Sequence, residues 1–132
     1  MRNKKFYLTM VALIAIFIIH GLINARHFVT MNTANIGEIR IEASDAKANQ
    51  GGVGYLTLED GQAIAITADM TESALLVEVF VEGEDGEAEG VYSESFSGTE
   101  TEQLSLPAAQ YAVRITSEAG ATGHLFIEAV AE

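Results

Sequence analysis

Residues 6–23 (FYLTMVALIAIFIIHGLI) form an almost unbroken apolar run of eighteen, and nothing else in the chain constrains its fold as strongly. Inside hydrocarbon a lone segment must satisfy its own backbone N–H and C=O groups, which only a helix does. At 1.5 Å per residue such a helix reaches about 27 Å, close to the ~30 Å of a bilayer core. Arg2, Lys4 and Lys5 precede the run. Basic residues stay on the cytoplasmic side, so residues 1–5 are expected inside the cell and everything after Ile23 outside it. A cleaved signal peptide has an apolar stretch of about 7–15 residues and small residues at its cut site. Here the run is longer, and Ile23-Asn24-Ala25 places a bulky residue at that site. The expectation is therefore an uncleaved transmembrane signal-anchor over 6–23, with secretion after cleavage as the alternative.

Past this segment the charge balance changes sign. All 19 acidic residues lie at or beyond Glu38, opposed there only by Arg40, Lys47 and Arg114, a balance of −16. A surface this acidic repels nucleic acid and anionic headgroups, and attracts cations or a basic protein. Solubility at the cell exterior is the other reading of the same charge. The chain has no cysteine, so disulfides, thiolate metal sites, a Cys nucleophile and a lipid-attachment site are all excluded. Residues 36–132 are enough for one domain held by its core alone.

Residues 24–35 (NARHFVTMNTAN) are polar and small, and are expected to be a tether. The pattern then turns from continuous to alternating. Over 37–43 Ile39, Ile41 and Ala43 share one face while Glu38, Arg40 and Glu42 share the other, the period of a half-buried strand. Strands are likewise expected over 53–59, 62–68, 74–82, 91–96, 101–106, 110–117 and 122–130. Asp60-Gly61 has the chemistry of a two-residue hairpin turn. Leu76 and Phe80 make the outward face of 74–82 partly apolar, which suits a central strand. Pro107, the only proline, cannot donate to a ladder and marks a strand end. About eight strands with no amphipathic helix between them predict an all-β antiparallel sandwich, jelly-roll-like, over 36–132.

From about Gly61 to Val130 the order of elements resembles the pre-peptidase C-terminal domain and related small bacterial jelly rolls. The residues that carry the likeness are Asp60-Gly61-Gln62, Leu75 to Val81, Leu104 to Ala108, Tyr111 to Ile115 and Gly123 to Ile127. The chain departs from that pattern where Leu75-Leu76-Val77-Glu78 lacks an Asp and Ala109-Gln110 replaces a glycine. The resemblance implies a non-catalytic accessory or binding module outside the cell and identifies no ligand; a protein or glycan partner there is an expectation of its own.

The residues themselves offer little chemistry. No Gly-x-Ser-x-Gly elbow is present. His124 falls on the polar face of the last strand with Phe126 and Glu128, and reads as a surface histidine rather than a base. A glycosidase needs two carboxyls about 5–10 Å apart across a cleft, usually among aromatic sugar platforms. There is no Trp, and Tyr55, Tyr92 and Tyr111 read as core or edge residues. No catalytic residue and no cofactor is expected. The best metal candidate is the loop carrying Glu82, Glu84, Asp85, Glu87 and Glu89, whose oxygens and glycines suit Ca²⁺, although the spacing is not that of an EF-hand. A solvated hairpin tip accounts for the same run.

Overall fold

The computed structural model describes residues 27–132. The expected cytoplasmic segment 1–5 and membrane segment 6–23 lie outside the described residues. Among the described residues there are nine strands and no helix, and hence none long and apolar enough to cross a membrane. The strands are β1 (Phe28–Asn32), β2 (Glu38–Ser44), β3 (Gly51–Leu58), β4 (Gln62–Glu72), β5 (Leu75–Glu82), β6 (Ala88–Phe96), β7 (Thr99–Leu104), β8 (Ala109–Ser117) and β9 (Thr122–Ala131). Two antiparallel sheets stack as a sandwich, one ordered β1-β2-β9-β4-β7 and the other β3-β8-β5-β6. Strands β2 to β9 thereby follow the order of a double-sheet jelly roll, with β1 added at one edge.

Period-two alternation is what drives this arrangement. Ile39, Ile41, Ile64, Ile66, Leu125 and Ile127 from the first sheet face Leu56, Leu58, Leu75, Val77, Tyr111, Val113 and Ile115 from the second, all within 2 % of full burial. The fit of β-branched and aromatic side chains to a pleated, one-sided surface explains the choice of strand over helix. Tyr111 belongs to this core, and its hydroxyl donates back to the Pro107 carbonyl four residues earlier. That bond pins the corner at which the chain enters β8. The expected central position of residues 74–82 is observed, since β5 lies between β8 and β6.

Two expectations need correction. Residues 24–35 are not a tether throughout, because Phe28–Asn32 pair with β2 from Phe28↔Ser44 to Asn32↔Arg40. Val29 and Met31 supply the reason, packing as alternating apolar side chains on the core. The Asp60-Gly61 turn forms, with the Gln62 N–H donating to the Glu59 carbonyl at 3.1 Å, but it is no hairpin. It carries the chain from β3 in one sheet to β4 in the other.

Strand directions give the sandwich two ends. At the stem end, where β1 begins, lie the segments 45–50, 73–74, 97–98 and 118–121. At the far end lie 33–37, 59–61, 83–87, 105–108 and Glu132.

The stem end is fastened by one buried hydroxyl. Ser117, 3 % exposed, donates to the Lys47 carbonyl at 2.5 Å and accepts the Gln50 N–H at 3.0 Å. The Gln50 side chain donates in turn to the His27 carbonyl at 3.2 Å and accepts the Lys47 N–H at 2.9 Å. His27 Nδ1 lies 2.9 Å from the Asp45 carbonyl and 3.1 Å from its carboxylate. Gly51 opens β3 here with φ +152°, and a Cβ on it would stand 1.8 Å from the Ile115 carbonyl oxygen. Only glycine fits such a backbone approach.

Candidate functional site

Each sheet presents an outer face built around one arginine. In the first sheet, cross-strand pairing aligns Thr30, Glu42, His124 and Asp69 in one row and Asn32, Arg40, Phe126 and Thr67 in the next. Arg40 lies over the Phe126 ring at 5.1 Å and 3.5 Å from the Glu38 carboxylate. In the second sheet Arg114 lies over Phe80 at 5.0 Å and donates twice to one oxygen of Glu78, at 3.0 and 2.9 Å. Both guanidiniums are thus occupied by a ring and a carboxylate on their own sheet.

Tyr55 on edge strand β3 is 67 % exposed. Its row runs Tyr55–Ala112–Phe80, so two aromatic side chains flank a small one. Neighbouring strands lie about 4.8 Å apart, which leaves a slot roughly 10 Å wide between them. Phe80 leans away from Tyr55, over Gly90.

A second groove starts from the other flank of Tyr55 and reaches the far end, between β3 and the loop 33–37. Its apolar elements are Tyr55 and Ile36, the latter wholly exposed, and its carboxylates are Glu38, Glu59 and Glu128. The loop is held by its own bonds. Asn32 Oδ1 accepts the Ala34 N–H at 2.9 Å, Asn35 donates to Glu38, and the Ala129 N–H donates to the Gly37 carbonyl at 2.9 Å. Gly54 lets this edge close, because a Cβ there would meet Ile39 at 3.0 Å and Met31 at 3.1 Å.

The acidic candidates are placed at the tip of the β5–β6 hairpin, all exposed. Glu82 ends β5, Glu84, Asp85 and Glu87 form the turn, and Glu89 lies in β6. The turn closes on itself. The Gly83 N–H donates to the Glu87 carbonyl at 2.7 Å, the Gly86 N–H to the Gly83 carbonyl at 2.9 Å, and the Glu87 N–H to the Asp85 carboxylate at 3.1 Å. The Asp85 and Glu89 carboxylates lie beside Gly83, whereas that of Glu82 lies beside Gly86. Among the described residues no three His, Asp or Glu side chains converge as a metal would require.

The opposite side of the sandwich stays open. Glu94 pairs with buried Val77, while Glu100 and Glu102 pair with buried Ala68 and Ile66, so all three point between the sheets yet remain exposed. Inward charges on edge strands discourage pairing with other chains. Tyr92 stands beside them with its hydroxyl buried and unpartnered. Burial, then the charges of Glu102, Glu94 and Glu100, push its pKa up to about 12. Burial also raises that of Tyr111.

Two residues of the far-end groove escaped the sequence reading. Tyr55 is out of phase with Leu56 and Leu58, which was a signal for exposure. Ile36 has no periodic partner and gave none.

No family model matches the chain, and no curated protein matches it in sequence. The likeness to the pre-peptidase C-terminal domain therefore gains no support from either comparison. Among solved structures the chain is similar to one described as "CBM4 structure and function", at 10 % identity and a TM-score of 0.43, covering 79 % of this chain and 78 % of that one. It is also similar to a Glycosylation Associate Protein (Gap123) complex from Streptococcus agalactiae, at 16 % identity and a TM-score of 0.43. That match covers 77 % of this chain and 39 % of the other, so the chain spans about two fifths of it. Neither likeness carries information on ligand or chemistry.

Proposed function

We propose that this protein is a single-pass membrane protein whose β-sandwich acts outside the cell as a non-catalytic binding module. Residues 6–23 anchor it with the amino terminus in the cytoplasm. The sandwich begins at Phe28, so residues 24–27 are all that join it to the anchor, and at about 3.5 Å per residue they reach roughly 14 Å. The stem end then faces the membrane and the far end faces away from it. The observation that carries the binding role is the exposure of Ile36 and Tyr55 along one groove on the outward end. An exposed aliphatic and an exposed aromatic side chain in one concavity are the usual core of a recognition patch.

A second reading is a glycan-binding accessory module released by signal peptidase. The Tyr55–Ala112–Phe80 slot favours it, since aromatic faces accept sugar rings. Protease added to intact cells tests the anchored reading. Digestion of residues 28–132, with an intact Met1 terminus by mass spectrometry on the remaining cell-bound piece, is the expected result. A released chain beginning after residue 23 favours the second reading, and protection of the sandwich from protease sinks both.

A further inference from the structure

We infer that the far-end groove takes a protein segment in which an apolar side chain is flanked by lysines or arginines. The inference rests on the binding-module reading and names the partner of that module. Tyr55 and Ile36 supply the apolar contact, one from β3 and one from the 33–37 loop. Glu38, Glu59 and Glu128 stand around them. Among the described residues the one cation beside these carboxylates is Arg40, 3.5 Å from Glu38 and already over Phe126. Glu59 and Glu128 have no salt-bridge partner among the described residues. The far-end segments 33–37, 59–61, 83–87, 105–108 and Glu132 contain six carboxylates and no Lys, Arg or His.

Such a field draws a cationic partner in and rejects an anionic one, while the apolar pair fixes where it docks. A neutral sugar would gain hydrogen bonds but no charge attraction from the carboxylates, and a free cation would gain nothing from Ile36. The shared edge of Tyr55 also separates this groove from the aromatic slot on its other flank. The loop that carries Ile36 is already fixed by bonds from Ala34 to Asn32, from Asn35 to Glu38 and from Ala129 to Gly37. Preorganisation of this kind reduces the ordering cost of association.

The test uses the full chain in detergent micelles and a blocked peptide, Lys-Lys-Leu-Phe-Lys-Lys, as probe. Fluorescence anisotropy is expected to give saturable binding below about 1 mM that weakens with salt. Ile36→Ser with Tyr55→Ala is expected to weaken it by about tenfold or more, as loss of a central apolar anchor does. Glu59→Gln with Glu128→Gln is expected to weaken it by about threefold and to flatten the salt dependence. Removing the stem-end charges by Glu72→Gln with Glu118→Gln is expected to leave it unchanged. Circular dichroism of each variant establishes that it is folded. Equal loss from stem-end and far-end charge removal, insensitivity to Ile36 and Tyr55, or no binding at about 1 mM overturns the inference. Binding of a hexasaccharide in place of the peptide, abolished by Phe80→Ala, overturns it too but leaves a binding module standing.

Discussion

The stem end and the far end of this sandwich are made from the same strands and differ in almost everything else. At the stem end, loops are tied to the body by buried and bridging polar groups, with Ser117, Gln50 and His27 in one connected set. Its segments 45–50, 73–74, 97–98 and 118–121 carry Asp45, Glu118 and Lys47, a nearly even charge. The far end has six carboxylates in its segments, no cation, and a bare Ile36. One end is closed around the buried Ser117 hydroxyl, and the other carries the exposed apolar and acidic side chains on which the proposed binding role rests. Perturbing each end alone tests whether stability and recognition divide along the strand axis.

The largest effect belongs to the stem end. Gly51→Ala drives a methyl group into the Ile115 carbonyl and is expected to cost about 3 kcal/mol, measured by denaturant unfolding. A loss under about 0.5 kcal/mol would mean that this end is not the rigid one. Ser117→Ala comes next. It strands the Gln50 N–H and the Lys47 carbonyl in a part-buried site, for an expected loss of about 1–2 kcal/mol. Far-end changes such as Asp60→Asn with Glu84→Gln are expected to move stability by about 0.5 kcal/mol or less, the norm for exposed positions.

A pH-dependent effect lies on the open side, at neither end. The folded-state pKa of Tyr92 is about 12, against about 10 in an unfolded chain. The folded state therefore holds the phenolic proton more tightly, so this contribution is complete below pH ~10 and is lost as pH rises from ~10 through ~12. Unfolding free energy measured across that window is expected to fall. Tyr92→Phe is expected to shrink the slope without removing it, because Tyr111 is shifted the same way. An unchanged slope would refute the assignment to Tyr92.

Much of the fold was legible because strand chemistry is local. Ile39, Ile41, Tyr111, Val113 and Ile115 announce their burial through period two alone, and Pro107 stands between β7 and β8 as expected. What remained hidden was partnership. Asp60-Gly61 encodes a reversal of the chain, but nothing local says that the next strand belongs to the other sheet. Phe28–Asn32 does not stand out because Val29 and Met31 sit in a short polar stretch, and the packing of Met31 depends on the room that Gly54 leaves on β3. The acidic run is legible as a loop, yet which of its carboxylates share a side, Asp85 with Glu89 beside Gly83 and Glu82 beside Gly86, is set by the closed turn. The phase of Tyr55 against Leu56 and Leu58 is legible, but that it lines one groove with Ile36 is a fact of tertiary structure.

The final strand, β9, lies between β2 and β4 in the middle of its sheet. A ribosome works from the other direction. Ile41 leaves it with Met31 of β1 already made, but Ile39 and the other edge of β2 find their hydrogen-bonding neighbour only when residues from Thr122 onward have been made. At about 5–20 residues per second the 77 residues between β2 and β9 take roughly 4–15 s. Throughout that interval the first sheet has no centre, and greasy half-strands must be kept from one another or from neighbours. Shortening the chain by its last ten residues would therefore remove the keystone rather than a loose tail.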